Sequence, residues 1–140
     1  MTVGESLIKW LYTFGNIEID QTIIIETDQL DAAPGSYGLY KEPTKTITVF
    51  VDGSQDVAER YYFMVRQASK TNPDRVSNQT WMEALERWVF EQNLKRNLPK
   101  LEGKRQCYGV GIAVSAYMVE TETDTAAYQI SFEIHYTEGI

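Results

Sequence analysis

The sequence has one cysteine, Cys107, and one histidine, His135. A single cysteine excludes an internal disulfide and a cysteine-rich zinc site. No apolar run approaches the roughly 18 residues of a membrane span, and we expect no signal peptide. Basic residues are also few: 13 lysines and arginines stand against 20 aspartates and glutamates, which gives a formal net charge of -7. This balance disfavours binding of a phosphate backbone as the main task.

The remaining composition is that of an ordinary folded domain. The chain has 140 residues, of which 43% are hydrophobic and 24% charged. A chain of this length buries enough apolar surface to fold without covalent crosslinks. We therefore expect a single domain over residues 1–140, with no linker and no internal repeat.

Two segments have the spacing of helices. At the N-terminus, Thr2 and Glu5 have the spacing of a capping box, and Gly15 with Asn16 suits a helix stop. Apolar residues recur at steps of three and four between them: Val3, Leu7, Trp10, Leu11 and Phe14.

The second helix is predicted after a loop over residues 72–74. Ser77 or Asn78 would cap it, and it would end near Asn97, before Pro99. Its apolar stripe consists of Trp81, Met82, Leu85, Trp88, Val89 and Gln92.

Several strands lie between the two helices. Apolar and polar residues begin to alternate at Ile17, as in a strand. Residues 46–51 are the clearest β-branched strand of the first half. We expect a turn at Glu42, Pro43, Thr44 and Lys45, with the flanking strands paired as a hairpin. Residues 60–69 favour a strand, with a helix as the alternative.

The last forty residues predict a long hairpin with an acidic turn that contains Glu120, Glu122 and Asp124. Its return strand alternates apolar and polar residues from Tyr128 to Tyr136, which is typical of a half-buried strand. On the outgoing strand we expect the larger side chains to share one face, namely those of Tyr108, Val110, Ile112, Val114, Ala116 and Met118. The predicted fold class is α+β: a mixed, mainly antiparallel sheet with an N-terminal helix and one long helix packed against it.

Few residues are suited to catalysis. His135 falls on the outward face of the last strand. Cys107 is best interpreted as a small buried hydrophobe. A Cys–His dyad across the hairpin stays open as an alternative. The acidic turn lacks the glycine and terminal glutamate of a calcium loop, so a solvated turn is favoured over a metal site. We expect no enzyme activity, no catalytic residue, no cofactor and no metal.

Two features favour assembly into an oligomer. The chain has nine tyrosines, a residue common at protein interfaces, and its strands carry apolar groups on both faces. Two helices would leave apolar surface and strand edges open. The alternative is that both helices cover one face and the tyrosines are hydrated.

The order and spacing of several short segments resemble, nearly end to end, the tail terminator proteins of tailed phages and prophages of Gram-positive bacteria, often labelled minor capsid proteins. The segments that carry the resemblance are Val3-Gly4-Glu5, Trp10-Leu11, Phe14-Gly15-Asn16-Ile17, Pro34-Gly35-Ser36-Tyr37, Asp52-Gly53-Ser54, Tyr61-Tyr62-Phe63, Arg66-Gln67, Trp81 with Glu83, Trp88, Leu98-Pro99 and Tyr128-Gln129.

The resemblance implies a structural virion protein at the junction of tail and neck, assembled in the host cytoplasm. Such a protein closes into a homo-oligomeric ring, usually hexameric, on the tail tube protein. It stops tube polymerisation and provides the surface that joins the head–tail connector or stopper protein. DNA passes through without specific binding, and a negative lumen would repel its backbone. No membrane is involved.

Hairpin ends project from a sheet, so we expect them to make these contacts. The turn of Glu42, Pro43, Thr44 and Lys45 is expected to contact the tube or neck. The turn of Glu120, Glu122 and Asp124 is expected to line the lumen or an interface. The alternatives are another neck or head-completion protein of the same virion, a small ligand-binding module with a tyrosine-lined pocket, or a small enzyme.

Overall fold

A five-stranded mixed sheet organises the described part of the chain. The computed structural model describes residues 2–14, 25–27, 36–68, 72–121 and 125–140. The elements are α1 (Val3–Leu11), β1 (Ile25–Thr27), β2 (Ser36–Val49), β3 (Gln55–Ala68), α2 (Asn72–Leu94), β4 (Arg105–Thr121) and β5 (Thr125–Glu138). The strand order is β1-β2-β3-β5-β4, with β1 parallel to β2 and every other pair antiparallel. The α+β prediction is confirmed.

The two central strands, β3 and β5, pair along their full lengths without a register shift, from Gln55 opposite Glu138 to Ala68 opposite Thr125. Side chains alternate between the faces of a strand, so an unbroken register keeps each face uniform. The predicted alternation of β5 is confirmed. Its core face is buried and consists of Tyr128, Ile130, Phe132, Ile134 and Tyr136. The strand predicted over residues 60–69 is likewise confirmed.

Helix α1 begins as its sequence predicts. The backbone N–H of Glu5 donates to Oγ1 of Thr2 over 3.1 Å, which satisfies one of the free amides at the helix start. The five residues of the predicted apolar stripe, Val3 to Phe14, are all buried. The helix ends at Leu11 with Tyr12 as its C-cap. The predicted stop at Gly15 and Asn16 lies outside the described residues, as does most of the strand predicted from Ile17.

Aromatic side chains hold α1 and α2 together over the core face of the sheet. The ring centroids of Trp10 and Trp88 are 4.7 Å apart, and those of Phe14 and Trp88 are 5.3 Å apart. Nε1 of Trp10 donates to the backbone oxygen of Asn97 over 2.8 Å. Large aromatic surfaces are buried in this way while the polar indole N–H keeps a partner.

The start of α2 differs from the prediction. The helix begins at Asn72, so the loop expected over 72–74 and the cap expected at Ser77 or Asn78 are wrong. Proline fits the first turn of a helix because no intrahelical partner exists there for the missing N–H, so Pro73 does not exclude helix. The helix ends at Leu94, three residues before the predicted end, and Arg96 follows with a positive φ of 60°.

The hairpin expected at Glu42, Pro43, Thr44 and Lys45 is also wrong, because these residues lie inside β2. Lys41 pairs with Tyr61 and Lys45 pairs with Glu59, so β2 has two more residues than β3 in this interval. A bulge tolerates proline, which cannot donate to a strand ladder. The turn between β2 and β3 comes later, around Asp52 and Gly53.

Helix α2 covers part of the free edge of β4. Nδ2 of Asn93 donates to the backbone oxygen of Val110 over 2.7 Å, and the Val110 N–H donates to Oδ1 of Asn93 over 2.9 Å. Further along, the Ala116 N–H donates to Oε1 of Glu86 over 2.8 Å. These side chains take the place of a neighbouring strand, because they satisfy backbone groups that an edge strand otherwise leaves open.

Asn93→Leu, which keeps the side-chain size, should lower the free energy of unfolding by about 1–3 kcal/mol because both Val110 backbone groups lose their partner. Urea unfolding measures this change, with Glu91→Ala on the exposed side of α2 as the control. Equal unfolding curves for the two variants would contradict the capping role of Asn93.

Candidate functional site

The predicted contact residues of the first half lie at the bulge of β2 and not at a projecting turn. Lys45 is half-exposed, and its Nζ lies 3.9 Å from Oε1 of Glu59. Oε2 of Glu42 is buried without a hydrogen-bond partner among the described residues. The bulge inside β2 therefore contains the four predicted contact residues, Glu42, Pro43, Thr44 and Lys45. Their contact with a tube or neck stays a prediction.

β4 and β5 pair as the hairpin that the sequence predicted, but Glu120 lies in β4 and not in the turn. Thr121 pairs with Ala126, and Glu120 lies in β4 opposite Ala127. Glu122 and Asp124 lie outside the described residues. The hairpin itself is confirmed, whereas the role of the three acidic residues in a lumen or interface stays a prediction.

Cys107 and His135 lie on opposite faces of the sheet. Cys107 belongs to the buried core, and burial raises the pKa of its thiol, so the reactive thiolate is disfavoured. His135 is half-exposed on the other face, where its Nε2 lies 3.1 Å from Oε1 of Glu133. The described residues thus bring no nucleophile together with this histidine, and the Cys–His dyad does not form.

The face of the sheet opposite the helices, here called the open face, carries polar side-chain pairs. Nε of Arg60 lies 2.8 Å from Oε2 of Glu133, and the hydroxyl of Tyr108 donates to Oδ1 of Asp56 over 2.7 Å. Both helices pack on the core face. Tyr108 lies on the open face, where 46% of its surface is exposed. Tyr61 lies on the core face instead, where it is buried.

The outgoing strand β4 does not keep the single apolar face that the sequence predicted. Val110 is buried, whereas Tyr108, Val114 and Met118 are exposed. Register shifts interrupt the β4–β5 pairing at four points between Cys107 and Glu120, and each extra residue moves the following side chains to the other face. Val114 pairs with Ser131 and therefore lies on the face opposite the core, whereas Met118 pairs with the core-face residue Tyr128 and is exposed all the same.

A well-ordered apolar tip ends the β2–β3 hairpin. The tip, defined as Val49, Phe50 and Val51, is exposed, Val51 completely so. The Phe50 N–H donates to the Ser54 oxygen over 2.8 Å, which leaves a three-residue loop with Gly53 at a positive φ of 91°. Such loops require a left-handed residue at this position, and glycine adopts it without strain.

Asp52 fixes the conformation of this loop. Its Oδ1 accepts hydrogen bonds from both the backbone N–H and the hydroxyl of Ser54, and these bonds lower the pKa of the Asp52 carboxyl. The tip thus presents exposed apolar side chains beside a turn that these hydrogen bonds define. The sequence contained the signal, because Val49-Phe50-Val51 directly precedes the turn residues Asp52-Gly53-Ser54.

A carboxylate interrupts the core face of β3. Val57, Tyr61, Phe63 and Val65 point into the core, and Glu59 occupies the position between the first two with only 3% of its surface exposed. Its Oε1 lies 3.3 Å from Nζ of Lys41. Its Oε2 is buried and has no hydrogen-bond partner among the residues that the structure describes.

An open cavity of about 660 Å³ adjoins this carboxylate, here called the Glu59 cavity. Its lining residues are Thr2, Val3, Gly4, Glu5, Lys41, Lys45, Glu59, Tyr61, Arg105, Tyr136 and Glu138. Burial, followed by the nearby Glu59 charge, raises the pKa of both phenols, Tyr61 and Tyr136. Sequence reasoning missed this site, although the alternation Val57-x-Glu59-x-Tyr61 placed a charge on an apolar face.

The sequence matches no family model and no curated protein. Within the described ranges, neither helix is long and apolar enough to cross a membrane. In the same ranges, no three histidine, cysteine, aspartate or glutamate residues group as a metal site would require.

Alkaline pH should destabilise the fold through Tyr61. The pKa of this buried phenol is raised in the folded state above its ordinary value of 10.0, so its contribution to stability is complete below pH 10 and is lost as the pH rises further. Urea unfolding from about pH 9 to about pH 11.5 should show a steeper loss of stability in the wild type than in Tyr61→Phe.

Tyr12→Phe, at a tyrosine that is 41% exposed, is the control and should keep the wild-type slope. The same slope in all three proteins would contradict the assignment to Tyr61.

Proposed function

We propose that the protein is a structural virion component, a tail terminator that closes as a ring on the tail tube and provides the joining surface for the head connector. The resemblance in order and spacing of its short segments suggests this class. The observation that supports it best in the structure is the exposed apolar tip. Water-exposed apolar side chains on an ordered projection are typical of surfaces that bind another protein.

The arrangement of the sheet agrees with ring formation. β4 is an edge strand that α2 covers only in part, and β1 lies at the opposite edge of the five strands. A contact between two different edges or surfaces of the same chain, repeated about a rotation axis, closes into a ring. The formal charge of -7 would keep DNA from adhering as it passes through.

The alternative within the same virion is another neck or head-completion protein, because the apolar tip serves any protein partner equally well. A ligand-binding module is the alternative from another class, and the Glu59 cavity is the observation that favours it. The two classes differ in the phenotype of a deletion.

Deletion of the gene in its source phage or prophage, with negative-stain microscopy of induced lysates, tests the proposal. Overlong or irregular tail tubes detached from filled heads are the expected result. Tails of normal length with unattached heads would indicate a different neck protein. Intact and infectious particles would contradict the virion proposal altogether.

Val51→Asp tests the tip itself. Because Val51 is fully exposed, the substitution should leave the free energy of unfolding within about 0.5 kcal/mol of wild type. We expect the variant to fail to complement the deletion, since the charge must be desolvated in the contact. Leu94→Asp, at an apolar residue of α2 that is 69% exposed, is the matched control and should complement. Complementation by both variants would exclude the tip as the contact.

A further inference from the structure

The basic residues of this acidic chain are concentrated in one short segment. Residues 95–105, here called the basic segment, contain five of the 13 lysines and arginines: Lys95, Arg96, Lys100, Lys104 and Arg105. Glu102 is the one acidic residue among them, so the formal charge of the segment is +4. Because the whole chain has a formal charge of -7, the other residues together carry -11. Such a separation makes one surface of the chain complementary to another.

Hydrogen bonds hold the backbone of the basic segment in place. Nε1 of Trp10 donates to the backbone oxygen of Asn97 over 2.8 Å, and the Asn97 N–H donates to the backbone oxygen of Gln92 over 2.9 Å. Further along, Nε of Arg105 donates to the backbone oxygen of Glu102 over 3.1 Å. The exposed cations therefore project from a fixed backbone, and a partner that binds them has less of the chain to order.

Arg96 places a cation where glycine is the usual residue. It follows the end of α2 with a positive φ of 60°, a left-handed conformation that glycine adopts without strain. Strain of this kind is concentrated at functional positions. An arginine at this point of the chain therefore indicates that its charge is used.

An open cleft of about 560 Å³, here called the basic cleft, lies between the basic segment and the start of β4. No acidic residue lines it among those that the structure describes. Arg96 and Lys100 are exposed there and form no ion pair within the described ranges. The lining includes three cationic and three apolar residues: Arg96, Lys100, Arg105, Leu98, Pro99 and Leu101. Carboxylates beside apolar side chains would complement both kinds of residue, whereas a phosphate backbone would match the cations alone.

The same chain carries such a group at the other end of the β4–β5 hairpin. Residues 106–140 contain no lysine or arginine, and three of their five acidic residues, Glu120, Glu122 and Asp124, form what is here called the acidic end. The exposed apolar side chain of Val119 directly precedes it.

The acidic end cannot reach the basic cleft of its own chain. β4 has 17 residues, from Arg105 to Thr121, which is about 50 Å at the usual rise of a strand. The three residues between Thr121 and Thr125 can span only about 11 Å even when fully extended. A contact between the acidic end and a basic cleft therefore requires a second copy of the chain.

We propose that the basic cleft of one subunit binds the acidic end of a second copy. The Arg96 and Lys100 side chains donate charge-assisted hydrogen bonds to the carboxylates of the acidic end. The contact joins two different surfaces, so that its repetition about a rotation axis closes a ring. This inference deepens the proposed function and rests on it, because it names the contact between the subunits of the ring.

Reversal of the charges tests the contact by complementation of the deletion. The basic-reversed variant combines Lys95→Glu, Arg96→Glu and Lys100→Glu, and the acid-reversed variant combines Glu120→Lys, Glu122→Lys and Asp124→Lys. We expect each variant alone to fail to complement, because two surfaces of like charge then meet. Co-expression of both variants should complement, since the cleft of each then matches the acidic end of the other. Arg87→Glu, at an exposed cation of α2, is the control and should complement.

Complementation by either reversed variant alone would overturn the proposal. Failure of the co-expressed pair would also overturn it, provided that both variants show wild-type urea unfolding, because the two surfaces would then bind something other than each other. A gel shift with duplex DNA tests the remaining occupant of the cleft. DNA binding that the basic-reversed variant loses, with full complementation by the acid-reversed variant, would assign the cleft to DNA instead.

Sedimentation velocity separates failure of this inference from failure of the virion proposal. If the deletion leaves intact and infectious particles, the virion proposal fails and the purified protein decides the inference. A wild-type oligomer that dissociates between about 50 mM and about 500 mM sodium chloride, is absent from each reversed variant and re-forms in their equimolar mixture would support it. A wild-type monomer, or a mixture that stays monomeric, would overturn it.

Discussion

The full-length pairing of β3 with β5 is the constraint on which the rest of the structure depends. These two strands occupy the centre of the sheet, and their register contains no bulge. An unbroken register fixes which face is buried, since a slip by one residue would move every core side chain into solvent. Both helices then pack on that face, with the contact between Trp10 and Trp88 closing the layer.

The irregularities of the sheet lie in the strands on either side of this central pair. β2 carries extra residues around Pro43, and β4 shifts its register repeatedly. Bulges in outer strands change which side chains face solvent without disturbing the core that β3 and β5 define. Asn93 of α2 binds the backbone N–H and oxygen of Val110, which lie at the outer edge of β4. The helix that covers the core thus also limits pairing of this edge with a strand of another chain.

Sequence patterns predicted the elements whose periodicity is intact and missed those where it is broken. The apolar stripe of α1 and the alternation of β5 were sufficient to predict which residues are buried, because burial follows a strict period in both elements. The sequence predicts a turn at Pro43 and a loop at Pro73, although a bulge and the first turn of a helix also accept proline. The bulges of β4 could not be predicted, since they depend on pairing with β5. The Glu59 cavity depends likewise on residues distant in sequence.

The apolar tip and the Glu59 cavity depart from the rules of a stable fold in opposite directions. The tip exposes apolar side chains on a turn that Asp52 holds in place, and the cavity buries a carboxylate oxygen without a donor. Neither feature improves packing of the isolated chain, and the exposure of the tip would be relieved by contact with an apolar surface of a partner. Departures of this kind are expected at functional sites, which is why these two surfaces, and not the histidine or the cysteine, carry the functional argument.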